Sequence, residues 1–301
     1  MHTQSPTTII DTAVARPSTT RRTALRTGST LLLGGLGAEY VVTSFHAAHE
    51  NPNDHHAVFA EYAASESWIA VHLGQFAAGL VVIAGILTLL RAMRPSTGPA
   101  LFTRVAEGAA ILTASMIAVL QGVDGFTLKH AVDSLAASPP EMHDAAFHDA
   151  EIVRWIEWAA AGYFRITLGL AVVLLSVAVV RSRALPRWSA PFALLAGLAF
   201  IADGIAVGAD GFTGGVPNLV AWASLILFAV VATVAAWWRG RRGALSDFSG
   251  RPLAASDRDR DLSLDAAGLD VPHGFRHPIQ GVGPVDARGH GAGGDVVGED
   301  R

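Results

Sequence analysis

Six runs of about twenty apolar residues alternate with polar loops along this chain. A helix needs about 20 such residues to cross the roughly 30 Å hydrocarbon core of a membrane at about 1.5 Å per residue. The predicted spans are residues 24–45, 68–90, 105–123, 158–180, 188–209 and 219–238. The pattern therefore predicts an all-α fold, a six-span transmembrane helix bundle. The first run is the least apolar, since Arg26 lies near its start and Glu39 lies inside it.

Arginines lie in alternate loops of the predicted bundle. They precede the first span, fill the turns after the second and fourth spans, and follow the sixth, whereas the other loops hold only Lys129 and Arg154. Because basic loops remain in the cytoplasm, this asymmetry predicts that both termini are cytoplasmic. Arg21 and Arg22 ahead of the first span also resemble a twin-arginine export signal, an alternative to simple anchoring of that span.

The chain divides into three predicted regions. Residues 1–23 are polar and have no hydrophobic periodicity, which predicts a disordered cytoplasmic arm. Residues 24–240 form the six-span transmembrane domain. Residues 241–301 are rich in Gly, Asp and Arg and contain few aromatic residues, so they predict a disordered cytoplasmic tail.

A six-residue phrase occurs twice, at residues 122–127 and at residues 208–213, and each copy ends an apolar run. In each copy an aspartate, Asp124 or Asp210, precedes a glycine that can adopt the left-handed conformation that stops a helix. The simplest prediction is two helix stops. In addition, Trp68 precedes Asp124 by nearly the interval that separates Trp155 from Asp210. The longer match predicts that spans two–three and four–five are two copies of one duplicated hairpin.

Composition narrows the chemistry of the predicted bundle. Of 301 residues, 51% are apolar and 16% are charged, and the mean hydropathy is +0.38, which is typical of a membrane protein. The net charge of −4 and the lack of a basic patch give no indication of a nucleic-acid partner, so the lipid bilayer is the predicted partner. No cysteine is present, which excludes disulfides, thiolate metal sites, iron–sulfur clusters and covalent c-type haem.

Polar side chains occur at one depth, in the outer third of the predicted spans. Ionisable groups within spans are costly and usually face the bundle interior with a partner. The candidate binding residues of this polar layer are Glu39, His72, Gln75, Gln121, Asp124, Arg165, Asp203 and Asp210. Because a guanidinium does not readily lose its charge, we expect Arg165 to pair with Asp203 or Glu39. The alternative is an ion pair that only fixes helix register.

The loops on the outer side are rich in histidine and carboxylates. His46 and His49 lie one helical turn apart, and neutral imidazole is a ligand for both Zn²⁺ and Cu²⁺. These two histidines are the candidate metal ligands, and solvated loop histidines are the alternative. No HExxH spacing occurs, and no catalytic residue is predicted.

The turn between spans four and five carries a family resemblance. The sequence RSRALPRW at 181–188, followed by LLAGLA at 194–199 and by Asp203, is similar to a stretch in bacterial membrane proteins of the DUF4386 type. The resemblance is clearest over residues 150–210, and residues 51–211 resemble multi-span proteins of actinobacteria. It implies a multi-pass protein of the bacterial inner membrane and implies no catalytic residue.

Three functions are compatible with these patterns. The leading hypothesis is a non-enzymatic inner-membrane protein that binds or passes a small polar solute or a proton at the outer polar layer. The second is a structural or partner-binding subunit whose buried charges only fix helix packing. The third is a metal-dependent membrane hydrolase that uses the outer-side histidines with Asp124 and Asp210.

Overall fold

The computed structural model describes residues 19–47, 49–94, 100–212 and 214–249, and these residues form helices and turns without any strand. The α-helices in chain order are α1 (Thr19–Thr43), α2 (His55–Ala64), α3 (Trp68–Ala92), α4 (Ala100–Gly122), α5 (Lys129–Ala136), α6 (His143–Ser182), α7 (Ala190–Asp210) and α8 (Val216–Ser249). A π-helical turn, Val123–Leu128, joins α4 to α5, and short 3₁₀ turns, Pro140–Met142 and Arg187–Ser189, precede α6 and α7.

Five of the described helices are long and apolar enough to cross a membrane. They cover Trp68–Ala92, Leu101–Ala136, Pro140–Ser182, Arg187–Asp210 and Val216–Trp238. The all-α class is therefore confirmed, and predicted spans two to six correspond to helices that are long and apolar enough to cross a membrane. Helix α1 begins at Thr19, inside the predicted arm, and α8 continues to Ser249, inside the predicted tail. The rest of the arm and tail, residues 1–18 and 250–301, lies outside the described residues.

The six long helices form a closed ring of neighbours. Going around the ring, α3 packs on α4, α4 on α6, α6 on α7 and α7 on α8. Helix α1 closes the ring by packing on both α8 and α3. The interior is filled by aliphatic and small side chains with Phe200 and Phe228, all inaccessible to solvent. In a membrane, where lipid is as apolar as these side chains, such a core stabilises the ring through close van der Waals packing.

Glycines allow two of these helix pairs to approach at backbone distance. A Cβ added to Gly169 on α6 would lie 2.5 Å from the carbonyl oxygen of Gly197 on α7. On α3, a Cβ at Gly85 would lie 2.5 Å from the amide nitrogen of Leu32 on α1. Small residues at such crossings are the usual means by which membrane helices gain close van der Waals packing.

One end of the ring carries a small second core, which we call the cap. It consists of α2 with the loop before it, α5 and residues 143–153 of α6, which pack on Trp68 of α3 and Leu128 of the π-helical turn. Its buried residues are Val58, Phe59, Tyr62, Trp68, Leu128, Val132, Leu135 and Ala150. The sequence predicts an amphipathic helix over residues 141–157 leading into span four, and α6 runs without interruption from His143 to Ser182.

The two copies of the repeated phrase differ in structure. In the second copy α7 ends at Asp210, and Gly211 has a φ of 78°, as a helix stop requires. In the first copy the helix does not stop: the chain continues through the π-helical turn into α5, so the expected stop at Gly125 is wrong. Gly125 has a different role, because a Cβ there would lie 2.7 Å from the Cβ of His72.

Candidate functional site

His72 and Asp124 meet beneath the cap. The His72 side chain, on the second turn of α3, is buried, and its Nδ1 lies 2.7 Å from the carbonyl oxygen of Trp68. Its Nε2 lies 3.0 Å from Oδ2 of Asp124, which belongs to the π-helical turn. The indole nitrogen of Trp68 donates to the backbone oxygen of Asp124 at 2.9 Å. These contacts fix both the imidazole and the turn that carries the carboxylate.

The His72 tautomer follows from these contacts. A backbone carbonyl only accepts hydrogen bonds, so Nδ1 must carry a proton and donate it to Trp68. In the neutral imidazole Nε2 then presents a lone pair to the carboxylate of Asp124, and two acceptors would face each other. This contact therefore needs either one more proton, carried by Nε2 or by the carboxyl group of Asp124, or a bound cation.

His46 completes a group of three possible ligands. It follows the end of α1, and one ligand atom from each of His46, His72 and Asp124 lies within 4.8 Å of the others. The rings of His46 and His72 have centroids 5.1 Å apart and planes inclined at 58°. Burial lowers the pKa of His46 by more than the charge of Asp124 raises it.

A buried ion pair lies next to this group. Arg154 and Glu157, one turn apart on α6, are both almost inaccessible to solvent, and Nη1 donates to Oε2 at 2.5 Å. Arg154 also donates to the backbone oxygen of Pro52 at 3.0 Å. The carboxylate of Glu157 lies close enough to Asp124 for the two negative charges to interact. The positive charge of Arg154 is therefore already paired with the carboxylate of Glu157.

Aromatic rings surround the two arginines at this end of the bundle. The guanidinium carbons of Arg154 and Arg165 lie 5.1 and 5.2 Å from the ring centroid of Phe212. Arg154 also lies 5.4 Å from the centroid of Tyr62. Such cation–π contacts stabilise a guanidinium that has lost part of its hydration.

The predicted pair between Arg165 and Asp203 is present. The Arg165 Nε lies 2.8 Å from Oδ2 of Asp203, and the side-chain amide of Asn218 donates to the same oxygen at 3.1 Å. Glu39, the other expected partner of Arg165, lies on α1 instead, where one of its oxygens is buried without a hydrogen-bond partner. Gln75 on α3 donates to the hydroxyl of Thr43, which like Glu39 is on α1, at 3.0 Å.

The other predicted site residues are distributed differently. Gln121 lies beside a cleft of about 140 Å³ between α3 and α4, and its buried side-chain oxygen has no partner. The lining residues are His72, Leu73, Phe76, Ala118, Gln121, Gly122 and Phe126. Asp210 is exposed, and its backbone oxygen accepts from Asn53 at 3.2 Å.

His49 does not join His46 in a metal-sized group. Its Nδ1 lies 2.7 Å from Oε1 of Glu61 on the cap, where the His49 side chain is exposed. Burial would raise the pKa of Glu61, but hydrogen bonds from the His49 amide and ring and from the Glu50 amide hold it below its usual value. Since the His46 ring turns inward to Trp68 and His72, the helical spacing of the two histidines gives no shared face.

The sequence patterns missed Arg154 and Glu157 as members of the buried polar group. One signal was available, because opposite charges three residues apart share a helix face. It did not indicate burial, since residues 141–157 predict a solvent-facing amphipathic helix. The burial arises from the cap, whose side chain Tyr62 and loop residue Pro52 cover that face.

The fold and the site define an α-helical protein with five helices able to cross a membrane and a buried polar group at one end. Comparison with known proteins gives no match to a family model, to a curated protein or to a solved structure. The resemblance to proteins of the DUF4386 type stays a prediction.

Proposed function

We propose that this chain is a six-crossing inner-membrane protein that binds a small cation beneath its cap. The sixth crossing is α1, whose 25 residues would extend about 37 Å. Its packing along α3, with Leu32 against Gly85, supports this assignment. Arg26 donates to the backbone oxygen of Ala236 and lies 5.0 Å from the ring centroid of Trp237, so its charge has partners at the other end of the bundle.

The cap lies on the outer side of the membrane, and both termini lie in the cytoplasm. The support is the distribution of arginines in the sequence, which favours the cytoplasm for the end opposite the cap. The hairpins α3–α4 and α6–α7 are two copies of one ancestral hairpin. In this proposal the first copy acquired the polar contact at Asp124, while the second kept a helix stop at Gly211.

The observation that carries the cation proposal is the balance of charges beneath the cap. Besides the acidic side chains of the cap and the exposed Asp210, four carboxylates lie at this end of the bundle, at Glu39, Asp124, Glu157 and Asp203. The two arginines there are each paired, Arg154 with Glu157 and Arg165 with Asp203. Neither Asp124 nor Glu39 has an arginine or lysine partner among the described contacts, and Asp124 contacts the ring of His72, so its charge is balanced by a second proton on His72 or by a bound cation. Removing a carboxylate from water without a cationic partner costs on the order of several kcal/mol, so a bound cation would stabilise this site.

The interior toward the cytoplasmic end supports binding rather than passage. The described core there is apolar and includes the fully buried Leu32, Leu89 and Leu175. The buried hydroxyls of Thr113 and Ser176 donate to backbone oxygens and are thereby satisfied. No file of ionisable side chains continues through the described part of this core, so a path across the membrane is not part of the proposal.

The test is a cation titration of the full-length protein in detergent after treatment with a chelator. Thermal unfolding is followed with Na⁺, K⁺, Mg²⁺, Ca²⁺, Mn²⁺, Zn²⁺ or Cu²⁺ added separately. At least one cation should raise the Tm progressively as its site fills, because a ligand at 100 times its Kd adds about 2.7 kcal/mol to the stability of the folded state.

Asp124→Asn should abolish that increase in Tm. Glu107→Gln is the matched control, because Glu107 pairs with Arg94 away from the cap and its loss should leave the increase intact. If every cation leaves the Tm of the wild-type protein unchanged, the cation proposal is overturned.

A structural role is the second candidate, and one observation favours it. Arg165, Asp203 and Asn218 satisfy one another across α6, α7 and α8 in a closed contact. This group needs no ligand and would fix the register of three helices. The hydrolase alternative has less support, because Asp210 is exposed and takes no part in the His72–Asp124 contact.

A further inference from the structure

We propose that His46, His72 and Asp124 form a binding site for one divalent transition-metal ion of the zinc class. This inference rests on the cation proposal and specifies which ion is bound and by which atoms. The three ligand atoms come from three separate segments: the end of α1, the second turn of α3 and the π-helical turn after α4. Convergence of three such residues from distant positions in the chain does not follow from helical spacing.

The donor set selects the class of ion. Two imidazole nitrogens and one carboxylate oxygen suit Zn²⁺ and Cu²⁺, whereas Na⁺, Mg²⁺ and Ca²⁺ prefer sites built from oxygen atoms. Three protein ligands leave a fourth position for water or solute in a four-coordinate zinc site. One carboxylate also offsets half of the charge of a divalent ion, which limits the cost of placing the ion under the cap.

Hydrogen bonds with Trp68 fix the orientation of two of the three ligands, as is usual around metal sites. His72 donates its Nδ1 proton to the carbonyl of Trp68, which directs the Nε2 lone pair to Asp124. A hydrogen bond from the second ring nitrogen to a carbonyl or carboxylate is the common means of orienting a metal-bound histidine. The indole of Trp68 in turn holds the backbone of Asp124, so one residue positions two of the three ligands.

Gly125 is the residue that allows the three ligands to meet. A Cβ at this position would lie 2.7 Å from the Cβ of His72 and would push α3 away from the π-helical turn. Inserted π-helical residues often occur at functional sites, where they redirect a side chain from its helical position.

Metal binding should tighten the site. Ligand atoms around a four-coordinate zinc ion lie roughly 3.3 Å apart, given metal–ligand distances near 2.0–2.2 Å. The three atoms here lie within 4.8 Å of one another, and those of His72 and Asp124 are already 3.0 Å apart, so a shift of about 1 Å at His46 closes the site. The ion would thereby link α1, α3 and the end of α4.

The experiment uses Co²⁺ as a spectroscopic substitute for Zn²⁺ in the chelator-treated, full-length protein. One Co²⁺ per chain should bind and give the intense visible bands of a four-coordinate site, and added Zn²⁺ should displace it. His46→Ala, His72→Ala and Asp124→Ala should each weaken binding by more than about tenfold, the effect that even a change beside a ligand produces. Gly125→Val should weaken binding similarly although it leaves every ligand in place.

His49→Ala and His148→Ala are the matched controls, because both residues are exposed histidines paired with cap carboxylates. Both should bind Co²⁺ like the wild-type protein. Copper-loaded wild-type protein should show two nitrogen donors in its electron paramagnetic resonance spectrum, a result that does not depend on the folding of any variant.

Each other outcome overturns part of the proposals in a recognisable way. If Na⁺ or Ca²⁺ raises the Tm in an Asp124-dependent manner and Co²⁺ and Zn²⁺ do not bind, the cation site stands and the transition-metal assignment falls. If no cation binds, both fall. If the His49 or His148 variants lose binding as strongly as the His72 variant, the metal belongs to surface histidines and the assignment is again overturned.

Discussion

Burial determines what each charged side chain beneath the cap contributes. Arg154 and Glu157 are each at most 2% exposed, whereas the Arg91–Glu107 pair at the other end includes an arginine that is 64% exposed. An exposed pair is worth about 0–1 kcal/mol, since water already solvates both charges. A buried pair adds little over an apolar pair, but losing one partner leaves an uncompensated charge in a medium that cannot solvate it.

The Arg165–Asp203 pair gives the first prediction. Arg165→Ala should destabilise the protein by about 3–5 kcal/mol, because it leaves Asp203 charged and largely buried. Adding Asp203→Ala should restore a substantial part of that loss, and the free energies from SDS titration in mixed micelles give the coupling between the two residues.

Arg104→Ala is the control for this cycle, because Arg104 is exposed and its loss should have little effect. A double variant that is as unstable as the sum of the two single variants would contradict the proposed pairing energy.

The second prediction concerns the pH dependence of the His49 loop. The pKa of Glu61 is lowered from its usual 4.5. A lowered pKa means that the carboxylate contributes stability that is complete above the unfolded-state value and is lost as the pH falls through the folded-state value. In hydrogen exchange the amides of His49 and Glu50, which donate to Glu61, should be better protected in the wild type than in Glu61→Gln at pH 6.

This difference between wild type and Glu61→Gln should shrink as the pH falls through the lowered pKa of Glu61, because the wild-type side chain then becomes neutral like glutamine. Protection that differs equally at every pH would show that the hydrogen bonds do not depend on the charge of Glu61.

At the scale of the elements, the crossing of α6 and α7 depends on small residues. Gly169→Ala should destabilise the protein by about 1–3 kcal/mol, because the added methyl group meets the carbonyl of Gly197 at 2.5 Å and a backbone must move. Gly108→Ala on α4 is the matched control, since no atom lies within 4 Å of its added Cβ. That change should be neutral or slightly stabilising through helix propensity.

SDS titration of both variants measures these effects. Equal stability of the Gly169 and Gly108 variants would mean that the two helices can separate without loss, and the close crossing would not contribute to the stability of the bundle.

The long helices could be predicted from the sequence because each depends on its own apolar run, whereas α2 and α5 have no such run and were not predicted. The pairing of Arg165 with Asp203 was accessible for a related reason, since both lie at the same depth on consecutive spans and need partners. Sequence could not predict that His46 turns to His72 rather than to His49, because this depends on how a loop folds under the cap. The continuation of the helix past Gly125 depends likewise on packing against His72, and local glycine preference indicated the opposite.

At the scale of the whole molecule, the ring of helices and the cap have different functions: the ring supplies the apolar core, and the cap covers the polar groups at one end. The ring is closed by contacts of α8 with α1 and is apolar toward the end opposite the cap. The cap covers the polar groups at its own end with Tyr62, Trp68 and Phe59, which excludes water and strengthens every electrostatic interaction beneath it. A cation bound at that end would therefore be enclosed by protein on the side that faces water.

The orientation of the bundle gives the last prediction, and the absence of cysteine from the chain makes it simple to test. Single cysteines at the exposed positions Thr20, in the first turn of α1, and Ser44, directly after its end, report on α1. Exposed Ser134 lies on the cap, and half-exposed Ser182 is the last residue of α6. In intact spheroplasts an impermeant maleimide should label Ser44→Cys and Ser134→Cys, whereas Thr20→Cys and Ser182→Cys should react only after permeabilisation. Labelling of Thr20→Cys and Ser44→Cys from the same side would remove α1 as a crossing and leave five spans. Labelling of Ser134→Cys only after permeabilisation would place the cap, and any cation it encloses, on the cytoplasmic side.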